Sequence, residues 1–110
     1  MDERDKLKLK HMQLACEELI KFTTEIDEMT FSSDRILTLA CIKEIEIIGK
    51  AANKITLETK LRLNKIPWDD IIGARNRLIH GYYNINLKIV WKTIKEDIPE
   101  LLKLLKSSKK

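Results

Sequence analysis

Glycine and proline are scarce in this chain of 110 residues, with three copies and two copies respectively. Sheets and tight loops need such turn residues, so their shortage points away from β architecture and towards an all-helical fold. Cysteine is equally sparse. Cys16 and Cys41 fall inside helical patterns, far from any metal-type pairing, and read as small core residues of a reducing compartment. Neither Cys-x-x-Cys nor His-Glu-x-x-His occurs, so no metal site and no cofactor are expected. No apolar run approaches the length of a bilayer-spanning helix, and Met1-Asp2-Glu3-Arg4-Asp5 lacks a signal-peptide pattern; the expectation is a cytoplasmic protein away from membranes. Internal repeats and low-complexity linkers are absent as well. The length supports one domain, residues 1–106, followed by a frayed basic tail over 107–110.

What the chain has in abundance is charge and apolar periodicity. Charged residues make up 35% and hydrophobic ones 44%, with a net charge of +4. Lys103, Lys106, Lys109 and Lys110 form a basic end that permits a polyanionic partner, although a solvated surface explains it equally well. Over about residues 5–29, Leu9, Met12, Cys16, Leu19, Ile26 and Met29 recur in steps dominated by three and four, the pattern of a long amphipathic helix. His11 falls off that stripe and reads as a surface residue. Thr30-Phe31-Ser32-Ser33 breaks the pattern, and Ser32 or Ser33 can cap a second helix over about residues 34–54. That helix is apolar on more than one side, through Leu37, Cys41, Ile45, Ile48 and Ala52 and also Ile36, Leu39, Ile42 and Ile47. It should therefore be the central helix, or a central helix that also carries a dimer surface. Gly49, beside Ala51 and Ala52, permits close approach of a neighbouring helix at about 1 kcal/mol of helix propensity.

Thr56 can cap a short helix to Leu63, with Asn64-Lys65 as a turn. Pro67 then suits the first turn of a new helix whose dipole Asp69 and Asp70 complement. Trp68, Ile71, Ile72 and Leu78 supply its buried side, and Gly81 can end it. Asn86 is a good cap for a last helix along Leu87, Val90, Trp91, Ile94, Ile98, Leu101, Leu102 and Leu105, kinked where Pro99 removes a donor.

The densest chemistry lies in Ala74-Arg75-Asn76-Arg77-Leu78-Ile79-His80-Gly81-Tyr82-Tyr83, where two guanidiniums, an amide, an imidazole and two phenols occupy ten positions. On a straight helix Arg75 and His80 stand about 140° apart, while Asn76 shares a face with His80 and Arg77 lies within about 60° of it. A long side chain, a bend at Gly81 or a second copy of the helix can close the gap to Arg75. The chemistry suggested is RNA cleavage without metal. A neutral imidazole can take a proton from a ribose 2′-hydroxyl. A planar guanidinium can hold a phosphate through paired hydrogen bonds. The plainer account is a histidine meeting helix-end carbonyls and arginines on a solvated face.

This stretch, preceded by Ile66-Pro67-Trp68 and Ile71-Ile72-Gly73, resembles the signature of the HEPN superfamily, specifically the HepT-type ribonuclease toxins. Glu46-Ile47-Ile48-Gly49, Val90-Trp91-Lys92-Thr93 and Asp97-Ile98-Pro99-Glu100-Leu101 resemble the same family in the same order. The resemblance implies an up-and-down bundle of four to five helices forming a two-fold homodimer, and a metal-independent RNA endonuclease. Carried over by position, Arg75 and His80 would be catalytic, with Asn76 and Arg77 binding or orienting the RNA phosphate. It further implies the toxin of a type VII-like toxin–antitoxin pair, silenced by a nucleotidyltransferase antitoxin that transfers AMP to Tyr82. A non-catalytic module that binds such a nucleotidyltransferase is the alternative. The chain departs from the family in reading Thr38-Leu39 ahead of Ala40, and Lys50 after Gly49, where relatives carry amide and acidic groups.

Overall fold

Asp2 opens the first helix by accepting a hydrogen bond from the Arg4 amide at 2.7 Å, and α1 runs Glu3–Thr23. In this computed structural model residues 1–80 and 85–108 are described, Leu78, Ile79 and His80 by their backbone alone. Met12, Cys16 and Leu19 lie fully inside, as their spacing requires. The helix stops earlier than the apolar stripe suggests. Glu25 takes φ 68°, a left-handed conformation that turns the chain. Asp27 then caps a separate short helix, α2 (Glu28–Ser33), accepting from the Thr30 amide at 2.8 Å. Residues 30–33, expected as a break, are thus helical, and Phe31 reaches the core while Met29 is left 78% exposed. The cap of the next helix, α3 (Arg35–Lys54), is Asp34 rather than a serine, through the Leu37 amide at 3.0 Å.

Central placement of α3 holds: it packs against α1 on one side and α5 on another, with Cys41, Ile45, Ile48 and Ala52 buried. Ile36 and Leu39 remain exposed on its surplus apolar side. Thr56 caps α4 (Leu57–Arg62) as its position suggests, and Asn86 caps α6 (Leu87–Lys92) through the amides of Lys88 and Ile89 at 3.0 and 3.3 Å. Between them stands α5 (Trp68–His80). Pro67 precedes its first residue and its carbonyl accepts from the Ile71 amide at 3.0 Å. Trp68 is a core anchor whose indole N–H donates to the Leu63 carbonyl at 3.1 Å, tying the start of α5 to the end of α4.

The interruption expected at Pro99 takes the form of a widened turn. Residues Thr93–Asp97 are π-helical and lead into α7 (Ile98–Ser107), where Pro99 stands in the first turn. Pro99 offers no N–H to the Lys95 carbonyl, and the Ile98 amide bonds back to the Thr93 carbonyl, five residues away. Lys95 crosses to α1, donating to the Thr23 carbonyl at 2.7 Å while its ammonium sits 4.8 Å from the Trp91 ring centre. Trp91 in turn meets Phe31 with centroids 5.2 Å apart. The described residues are helices and short connections without a strand, so the all-α expectation is met. α7 carries the chain helically to Ser107, and residues 109–110 of the expected tail lie outside the described residues.

Candidate active site

α5 crosses α3 where Arg75 lies on Gly49. A Cβ built on Gly49 would stand 2.8 Å from Arg75 Cδ and 2.9 Å from Cγ, and nearer still to Arg75 Cβ. Gly49 is buried, and the close approach its sequence context permits is made by Arg75 itself. The arginine is half-buried, with its stem laid along α3. Its Nε is buried and has no hydrogen-bond partner among the described residues.

The neighbouring polar residues are distributed around α5. Asn76 and Arg77 are exposed. Arg77, about 200° around the helix from Arg75, folds back along its own helix, with Nη1 3.6 Å from where a Gly73 Cβ would be. It borders a cleft of about 300 Å³ between α3, α5 and α7, floored by Ile45, Ile48, Ile71 and Leu101. Asp70, Asp97 and Glu100 share that lining. Three carboxylates there oppose an RNA phosphate, so Arg77 and Arg75 occupy different surroundings in one copy of the chain. His80 is the last residue of α5. Its side chain, and Gly81, Tyr82 and Tyr83, lie outside the described residues. Among the described residues no three His, Cys, Asp or Glu side chains group as metal ligands would.

The departures from the family pattern fall in two places. Lys50 is exposed beside Gly49. Thr38 is buried and donates to the Arg35 carbonyl of its own helix at 2.9 Å. Thr38 and Gly49 are eleven residues apart, about 16 Å along the axis, so the Thr38-Leu39 pair is remote from the Arg75 crossing.

Two further carboxyls, the buried Asp5 and the half-buried Glu44, carry no motif in the sequence. Asp5 is fully buried on α1 and accepts from the Thr56 amide at 3.2 Å, the Thr56 hydroxyl at 2.5 Å and the Thr59 hydroxyl at 2.6 Å. Burial pushes this carboxyl up, but the threonine hydrogen bonds outweigh burial and hold it below the usual 3.8. Glu44 on α3 is pushed up to about 7, first by burial and then by the charge and hydrogen bonding of Glu18 on α1. The signal for each was its register. Asp5 extends the stripe of Leu9, Met12, Cys16 and Leu19 by one turn, and Glu44 lies between Cys41 and Ile48 on the buried side of α3. Burial also pushes the Cys16 and Cys41 thiols up, to about 12 and about 11, which suits inert core residues.

The described residues thus form an all-helical fold in which Arg75, Asn76, Arg77 and His80 share one helix, α5, packed on the central α3. Residues 12–108 match the HepT-like family, described as Ribonuclease HepT-like, and the chain belongs to that HEPN-type family. A protein of Caldanaerobacter subterraneus subsp. tengcongensis whose name designates an RNase is 40% identical over 98 residues, covering 89% of this chain and 88% of the relative. Another so named, from Methanocaldococcus jannaschii, is 36% identical over 86 residues, 78% of this chain and 79% of the relative. The Probable ribonuclease HepT of Thermococcus cleftensis is 39% identical over 87 residues, 79% of each chain. No solved structure matches the chain.

Proposed function

We propose that this chain is a cytoplasmic RNA endonuclease that works without a metal ion and serves as the toxin of a toxin–antitoxin pair. The observation that carries the reading is the Arg75–His80 spacing at the end of α5 in a member of the HepT-like ribonuclease family. His80 takes the proton of a ribose 2′-hydroxyl as that oxygen attacks the adjacent phosphorus. The bond to the 5′-oxygen breaks, and an imidazolium returns a proton to the leaving oxygen, giving a cyclic phosphate and a free 5′-hydroxyl. Arg75 stabilises the charge on the pentavalent phosphorus, where preorganised cations act most strongly. Asn76 orients the phosphate or the imidazole, and Arg77 makes a secondary phosphate contact once RNA draws it from its own helix.

The homodimer belongs to this reading. One α5 holds Arg75 and His80 about 140° apart, and two copies related by a two-fold axis can line a single cleft from both sides. A nucleotidyltransferase antitoxin would silence the site by attaching AMP to Tyr82. The added bulk and negative charge would then exclude an RNA phosphate from the neighbourhood of Arg75 and His80.

The test is cleavage of labelled RNA in the presence of chelator. The parent should cleave, and His80→Ala and Arg75→Ala should each lose roughly 10²- to 10⁴-fold with helicity retained. A His80→Ala protein as fast as the parent overturns the catalytic assignment. An inactive parent that still binds a nucleotidyltransferase would favour the non-catalytic module.

A further inference from the structure

We propose that Gly49 of α3 is the positioning residue for Arg75, its missing side chain forming the trough that aims the guanidinium at the reacting phosphate. The inference rests on the reading of Arg75 as a catalytic group. Glycine in a helix interior is unfavourable relative to alanine, so its presence at position 49 calls for a reason. Backbone conformation does not supply one, because no described glycine has positive φ and Gly49 is well inside α3. Space does. The three atoms nearest to a Cβ built there all belong to Arg75, and they are its Cβ, Cγ and Cδ rather than the mobile tip.

Because Arg75 Cβ is fixed to the backbone of α5, rotation of the side chain cannot make room for a methyl group at 49. Either the two helices separate or the arginine stem leaves α3. The trough also selects a direction. With its stem held on α3 and its Nε buried without a partner among the described residues, Arg75 has only its terminal nitrogens left to present at the surface. An arginine held in this way keeps its aim without ordering a long flexible stem when substrate arrives.

Gly49→Ala should lower kcat by about 10²-fold, the scale of a misplacement near 1 Å, with a much smaller change in KM. In an Arg75→Gly background, which removes the competing Cβ, the same substitution should cost almost nothing, whereas general damage to the fold would slow both backgrounds alike. A second readout needs no activity. With five arginines in the chain, the Nε–H signal of Arg75 can be assigned in nitrogen-labelled protein by its loss in Arg75→Ala. That signal should exchange slowly in the parent and quickly in Gly49→Ala. If Gly49→Ala fails to fold, Gly49→Ala/Arg75→Gly should fold as Arg75→Gly does, since the competing Cβ is gone. Parental kcat in Gly49→Ala, equal loss in both backgrounds, a fast-exchanging Nε–H in the parent, or no recovery in the double variant each overturns the proposal. A parent that leaves RNA intact but shows the slow Nε–H refutes the catalytic reading and not the placement of Arg75.

Discussion

Replacing Asp5 by alanine should destabilise the protein more than almost any other polar substitution on α1. The carboxylate is fully buried and takes three hydrogen bonds from residues more than fifty positions away, Thr56 twice and Thr59 once. Hydrogen bonds to a charged group are each worth about 1.5–3 kcal/mol. Removing the acceptor leaves the buried Thr59 hydroxyl without this partner, while the exposed Thr56 can turn to water. Burial of the charge itself is costly and is relieved by the substitution, which offsets part of the loss. The net cost of Asp5→Ala is then about 2–3 kcal/mol. At about 4–8 °C per kcal/mol for a domain near this size, melting should fall by roughly 10–20 °C. Asp5→Asn keeps the shape and can re-pair all three groups, so it should lose only about 1 kcal/mol. The folded carboxyl lies below its ordinary 3.8, so its stabilisation is fully present above that value. It is lost as pH falls through the lower folded value, and the gap between parent and Asp5→Asn should close there. Thermal melts followed by circular dichroism across this pH range make the measurement. Asp5→Ala melting within about 2 °C of the parent at neutral pH would refute the reasoning.

Glu44→Gln should act in the opposite sense. The folded protein holds a proton on Glu44 between the ordinary 4.5 and about 7 while the unfolded chain does not, so stability falls as pH rises through that range and stays lower above it. The variant should be more stable than the parent by on the order of 1 kcal/mol at about pH 8 and nearly equal to it below about pH 4.5, as denaturant titrations can check. Tyr82→Phe should leave RNA cleavage largely intact and abolish neutralisation by the antitoxin. Intact mass after co-expression should show an AMP-sized increment on the parent and none on the variant, and a silenced parent without the increment would refute modification.

Features set by neighbours within one helical turn were legible in the residues themselves. Asn86 and Thr56 cap because a short polar side chain reaches amides two or three positions on, and Trp68, Cys16 and Cys41 are buried because their register puts them there. The same local logic identified Gly49 as a place of close approach and brought the polar residues 75–80 onto one helix. Where α1 stops was not legible: the stripe continues to Met29, and only the left-handed turn at Glu25, paired with burial of Phe31, diverts the chain into α2. The widened turn before Pro99 likewise settles with α1 alongside, where Lys95 finds the Thr23 carbonyl. Asp5 with Thr56 and Thr59, Glu44 with Glu18, and Arg75 with Gly49 are contacts between separate helices. Periodicity tells which side of a helix turns inward but carries no information about which residue it will face. That choice falls to the packing of whole helices, and through it α3 gives Arg75 its bed while Arg77 is left on the other side of α5.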